Sequence, residues 1–94
     1  MSNEKYNGWT NYATWRVNLE MVDGLDPREH FSGSKDVYEL ATKIEEYIKG
    51  YIDEFASGMA RDYALAFLDE VNWREIAKSI AEAYELFQTE TEVD

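Results

Sequence analysis

The chain has 94 residues, with 20 Asp and Glu against 9 Lys and Arg, for a net charge of −11. Direct binding to nucleic acid is not expected of so acidic a chain, because its charge repels phosphate; a basic partner, or no charged partner at all, suits it better. Aromatic residues at 15% argue against disorder, the absence of cysteine removes disulfide and thiolate chemistry, and no apolar run approaches a membrane span.

Ninety-four residues fit a single acidic helical domain over 1–94, with residues 1–10 as a lead-in and 88–94 as a frayed tail. Within the lead-in, Gly8 beside Trp9 suits a tight turn. Asn11 is an effective helix cap, and Tyr12, Trp15, Leu19 and Val22 then recur at helical spacing, with Arg16 and Glu20 turned away. Asp23-Gly24 closes this helix. Asp26-Pro27 predicts a further short turn through Phe31, since proline's missing N–H costs nothing at a first helical position. Ser32-Gly33-Ser34 breaks it.

The strongest periodic signal is one continuous face of Val37, Leu40, Ala41, Ile44, Ile48, Tyr51, Ile52 and Phe55, expected to start from a Ser34 cap. Glu39 with Lys43 and Glu45 with Lys49 form favourable i,i+4 pairs on its outer side. Gly50 within this helix suggests a close crossing by another helix. Ser57-Gly58 marks a break before a helix carrying Met59, Tyr63, Ala66, Phe67 and Leu68. Asn72 through Glu75 reads as a capping box, with the Glu75 side chain returning to the cap's own N–H. The last helix places Trp73, Ile76, Ala77, Ile80, Tyr84 and Phe87 on one face. No segment alternates as a strand does, so the fold class is all-α: a small bundle of four main helices with short connections.

The charge is uneven: −2 over residues 1–34, −3 over 35–68 and −6 over 69–94. Asp69, Glu70, Glu75, Glu82 and Glu85 are therefore the candidate acidic face for a basic partner. Tyr6, Trp9, Tyr12 and Trp15 form a second candidate, because Tyr and Trp dominate interface hot spots. The plainer reading is that these rings cover the open end of a small bundle.

No catalytic site is evident. His30 is the single histidine, and without cysteine it makes no usual zinc site. Asp23, Asp26 and Glu29 lack the calcium-loop spacing, and no nucleophile motif or phosphate loop is present. An enzyme built on Asp23, Asp26, Glu29 and His30 would need those side chains to converge in a pocket. Neither a metal nor a cofactor is expected.

Tyr6-Asn7-Gly8-Trp9-Thr10-Asn11-Tyr12-Ala13-Thr14-Trp15 resembles the opening of a family of small proteins from bacteriophages and mobile elements that share an N-G-W-T-N-Y/W-x-T-W signature. Val71-Asn72-Trp73-Arg74-Glu75-Ile76-Ala77 is similar to that family's downstream V-N/D-W-x-E-I-A stretch. The family is functionally uncharacterised, so the resemblance implies an origin rather than an activity. With that origin, the expectation is a non-enzymatic protein in the host cytoplasm that binds and modulates a host nucleic-acid-handling protein. Carboxylates standing where phosphates would lie supply the means. The alternative is a structural or adaptor domain, which could homodimerise, using the aromatic N-terminal surface.

Overall fold

The computed structural model describes residues 6–87. These form an all-α bundle whose helices are α1 (Tyr12–Val17), α2 (Pro27–His30), α3 (Val37–Phe55), α4 (Gly58–Leu68) and α5 (Trp73–Ala83). The outer parts of the lead-in and tail, 1–5 and 88–94, lie outside the described residues. Helix α3 packs along α5, while α1 lies against α4 and α5. Leu40, Ile44 and Ile48 of α3 share a single core with Ile76, Ala77 and Ile80 of α5, Ala13 and Val17 of α1, and Leu68 and Val71 beside them.

The lead-in is ordered by a two-residue hairpin turn. Tyr6 and Trp9 exchange both backbone hydrogen bonds, at 2.7 and 2.8 Å, around Asn7 and Gly8. Both central residues have positive φ, 50° and 88°, the signature of the mirror-image hairpin turn that Asn-Gly favours.

Asn11 caps α1 as expected, but the inward face is displaced. Ala13, Thr14 and Val17 are buried, whereas Tyr12 and Leu19 remain 44% and 49% exposed. The reason is polar: Thr14 must face inward to reach the start of α5. Beyond Val17 the chain continues as a π-helical turn, Asn18–Val22, closed by the Asp23 N–H on the Asn18 carbonyl at 2.8 Å. That wider turn brings Val22 into the core, although a regular α-helix would set it well away from Val17.

At α3 the cap is Asp36, not Ser34. The Asp36 carboxylate accepts the Glu39 N–H at 2.9 Å, and Glu39 reaches back to accept from the Lys35 N–H at 2.6 Å. Ser34 instead donates to the Phe31 carbonyl and finishes the turn after α2. With Glu39 so engaged, its expected pair with Lys43 does not form. Lys43 donates to the Ser32 carbonyl at 3.1 Å, while Glu45 and Lys49 do pair at 2.8 Å.

The buried stripe of α3 ends at Ile48, with Ile52 half-buried and Tyr51 and Phe55 exposed. A 19-residue helix outruns an 11-residue neighbour, so α5 does not cover the last turns of α3. No close crossing occurs at Gly50: a Cβ there would meet nothing within 4 Å. Gly58 takes a φ of +60°, which secures the break between α3 and α4.

Helix α5 stops at Ala83, short of the Tyr84 and Phe87 once expected on its face. Glu85 adopts a left-handed φ of 59° and its N–H bonds the Glu82 carbonyl at 3.2 Å, while the Leu86 N–H bonds the Ala81 carbonyl at 2.8 Å. This paired closure is the Schellman arrangement. It turns Leu86 and Phe87 back onto the core as partly buried side chains.

Candidate functional site

The densest polar geometry lies where the N-termini of α1 and α5 meet. Asn11 caps α1 by accepting from the Thr14 N–H at 2.9 Å and from the Thr14 hydroxyl at 2.7 Å. Asn72 caps α5 by accepting from the Glu75 N–H at 3.0 Å. The two caps are then cross-linked. The Asn72 N–H donates to Thr14 Oγ1 at 2.9 Å, and Asn11 Nδ2 donates to the Glu70 carbonyl at 2.9 Å. Thr10 completes the join: its N–H donates to Glu75 Oε1 at 3.0 Å, and its hydroxyl accepts from Asn72 Nδ2 at 3.2 Å.

The capping box expected at Asn72–Glu75 is thus opened and completed from elsewhere. Glu75 serves Thr10 rather than its own cap, and Thr14 serves the Asn72 N–H in its place. Donors at a helix entry must find partners, and here the Thr10 and Asn72 N–H groups each find one on the first turn of the other helix. Thr14 is the single buried polar residue among those described, and its hydroxyl both donates and accepts.

This latch redistributes the candidate acidic face. Glu75 is half-buried and engaged by Thr10, so it belongs to the fold as well as to the surface. Reversing its charge would therefore break the Thr10 bond that helps join α1 to α5. Asp69 stands 3.9 Å from Lys49 Nζ. Glu45, hydrogen-bonded to that ammonium, and Asp69 beyond it hold Lys49 above its ordinary pKa. Glu70, Glu82 and Glu85 are exposed and make no ion pair among the described residues. Arg74 and Lys78 interrupt the outer side of α5, with Arg74 lying 4.7 Å over the Tyr38 ring. Three of the eight acids after residue 68, at positions 90, 92 and 94, lie outside the described residues.

The four candidate aromatic residues separate into two groups. Tyr6, Tyr12 and Trp15 form a three-ring cluster with centroids 4.9 to 5.7 Å apart, and Phe67 of α4 extends it at 6.3 Å from Tyr12. Trp9 lies elsewhere, packed against the core and lining a shallow cleft with Glu75, Lys78 and Glu82. Trp9 is half-buried over the core, while Tyr6 and Tyr12 stay exposed.

Asp23 lines a small pocket that Asp26, Glu29 and His30 do not share. Asp26 is held by its own neighbour: the Arg28 side chain and backbone N–H both bond its carboxylate, which lowers its pKa below the ordinary 3.8. His30 stands against the rings of Phe31 and Tyr47. Among the described residues no three His, Asp or Glu side chains converge as metal ligands, and no helix is long and apolar enough to cross a membrane.

Sequence reading missed a further exposed group. Tyr51, Phe55, Met59 and Tyr63, assigned to helix faces by their spacing, stand on the surface. The signal that marks Phe55, Met59 and Tyr63 is electrical: residues 55–68 hold one acid and one base in an otherwise acidic chain.

A family model covers residues 2–93, that of a family of unknown function, DUF7249, and the chain belongs to that family. No curated protein and no solved structure matches the chain.

Proposed function

We propose that this member of the DUF7249 family is a small protein of phage or mobile-element type that binds a basic, nucleic-acid-handling host protein and modulates or inhibits it. Anti-defence action and transcription takeover are the two settings in which such binding would serve, and carboxylates standing in for phosphates are the means. The observation carrying this reading is the set of exposed carboxylates at Glu70, Glu82 and Glu85, without ion-pair partners among the described residues, on a chain of net charge −11. Attraction of this kind is long-ranged, speeds association and weakens with salt.

Glu85 adds weight. The residue at its position in a Schellman closure is usually glycine, because a side chain in the left-handed region costs about 1 kcal/mol. Here a carboxylate occupies it with a φ of 59°. An outlier of that kind is a pointer to function.

The test is affinity capture from bacterial lysate at low salt, eluted by a salt gradient, with the variant Glu70→Lys/Glu82→Lys/Glu85→Lys in parallel. Glu75 is left alone because the latch uses it. Recovery of a nucleic-acid-binding complex by the wild type, competed by added DNA or RNA and lost in the variant at unchanged helicity, supports the reading. Equal capture by both proteins removes this face from consideration. The Tyr6, Tyr12 and Trp15 cluster favours a second reading, an adaptor domain docking by its aromatic surface, whose capture would resist salt.

A further inference from the structure

Helix α4 buries one side chain in its own chain, Leu68. Eleven residues are too few for a helix to stand alone in water, so packing must supply its stability. Its outward ladder is nevertheless largely uncovered: Met59, Tyr63 and Phe67 recur at i, i+4 and i+8 on one face, with Met59 67% and Tyr63 70% exposed and Phe67, beside Tyr12, 36% exposed. Across the short turn at Ala56-Ser57, Phe55 is 68% exposed and stacks on Tyr51 with centroids 4.8 Å apart. The Asp53 carboxylate accepts from Arg61 Nε at 2.6 Å and ties the end of α3 to α4.

We infer that this α3–α4 hairpin is a self-association surface, and that its occupant is the same hairpin of a second copy of the chain. Area and charge select that occupant. A large aromatic side chain has about 150–250 Å² to bury, so Tyr51, Phe55, Met59, Tyr63 and Phe67 together expose about 500–600 Å² per copy. Doubled across a two-fold axis, that clears the ~1,000 Å² of a specific interface. Apolar exposure of this amount on one hairpin lies at the upper end of what a monomer leaves open.

Charge points the same way. Two copies of net charge −11 repel each other across most of their surfaces. The α4 arm is the exception: residues 55–68 carry Asp62 and Arg61 and no other charge, and of the two acids between Tyr51 and Phe55, Asp53 and Glu54, the first is paired with Arg61. A basic partner would find little to recognise on the α4 arm, whereas a second copy meets a charge-balanced, apolar match there. Antiparallel packing of α4 on its copy sets Tyr63 near the axis against itself and Met59 opposite Phe67, as an isologous interface requires.

The experiment is sedimentation or light scattering of the full chain over a concentration series at low and high salt, together with Tyr63→Glu and Tyr63→Cys. The wild type should reach twice the 11.0 kDa chain mass, and do so at lower concentration as salt screens the repulsion. Tyr63→Glu should stay monomeric with unchanged far-ultraviolet dichroism. Tyr63→Cys, in a chain that has no cysteine of its own, should oxidise to a linked dimer, while Glu82→Cys on α5 should not. A wild type that remains monomeric at about 100 μM and high salt overturns the inference and leaves the face to another protein. A dimer that Tyr63→Glu leaves undiminished, or equal cross-linking from both cysteine positions, overturns it as well. The acidic-face reading fails or stands separately, since its variant alters none of these residues.

Discussion

Replacing Thr14 by valine keeps the shape of a side chain with no exposed surface and deletes one hydroxyl group. That hydroxyl donates to Asn11 Oδ1 and accepts from the Asn72 N–H, so the substitution removes both bonds joining the caps of α1 and α5 at this point. Asn11 Oδ1 retains the Thr14 N–H; the Asn72 N–H loses its partner at the entry to α5. At ~1 kcal/mol net for each bond, the loss is about 2 kcal/mol, and more if water does not reach the Asn72 N–H. For a domain of this size that lowers Tm by about 8–16 °C. Thr14→Ser supplies the contrast. It keeps both bonds and deletes a buried methyl, at a cost of about 1 kcal/mol, or about 4–8 °C. Thermal unfolding followed by circular dichroism should therefore rank wild type above Thr14→Ser and Thr14→Ser above Thr14→Val. A packing account predicts the reverse order for the two variants. Finding Thr14→Val the more stable would show that the hydroxyl does not hold the helix starts together.

Three further outcomes follow from local geometry. Gly50→Ala should stabilise the chain by about 0.5–1 kcal/mol in urea titrations, because the position is helical and a Cβ there meets nothing within 4 Å; a loss of stability would mean that the groove beside Gly50 is occupied. Glu85→Gly should raise stability by about 1 kcal/mol by relieving the left-handed residue that closes α5, yet weaken capture of a basic partner if the acidic reading is right. Asp26 has a folded pKa below its ordinary 3.8, so its contribution is complete above that value and disappears as pH falls through the folded one. The difference in Tm between wild type and Asp26→Asn should accordingly be constant near neutral pH and shrink in the acid limb, and a difference that persists there unchanged would place the effect in packing.

The periodic signals led to the right elements where the cause was local. Asn11 and Asn72 cap helices because a short amide side chain satisfies a nearby N–H, and Asn-Gly turns tightly because both residues tolerate positive φ. Misreadings arose where a distant group decided the outcome. The inward face of α1 is set by what Thr14 must reach, some 58 residues along the chain, and no window of neighbouring residues contains that demand. The stripe on α3 continues in sequence to Phe55, but burial needs a partner, and α5 is eight residues shorter than α3. The Glu85 turn was illegible because glycine, the usual marker of such a closure, is absent. For the candidate site, sequence identified the acids but not their employment: Glu75 looks like its neighbours until Thr10 is found on it.

The two motif segments, 6–15 and 71–77, are where the helix starts meet, and their residues are engaged in building the fold. Asn7 and Gly8 make the turn; Thr10, Asn11, Thr14, Asn72 and Glu75 make the latch. At those positions the motif specifies an architecture, while Tyr6 and Tyr12 of the same segment stay exposed in the aromatic cluster with Trp15. Function must then be sought mainly on residues that the latch leaves free, and two such surfaces stand out: the carboxylates of Glu70, Glu82 and Glu85, and the apolar ladder of α4. They obey opposite electrostatics. Salt screens the attraction of the first for a basic partner and the repulsion that opposes self-association through the second. A single salt series read by two observables, captured partner and chain mass, thus assigns each surface separately. If the two surfaces act together, a dimer would present twice the acidic charge, and Tyr63→Glu should weaken capture of a basic partner without altering Glu70, Glu82 or Glu85.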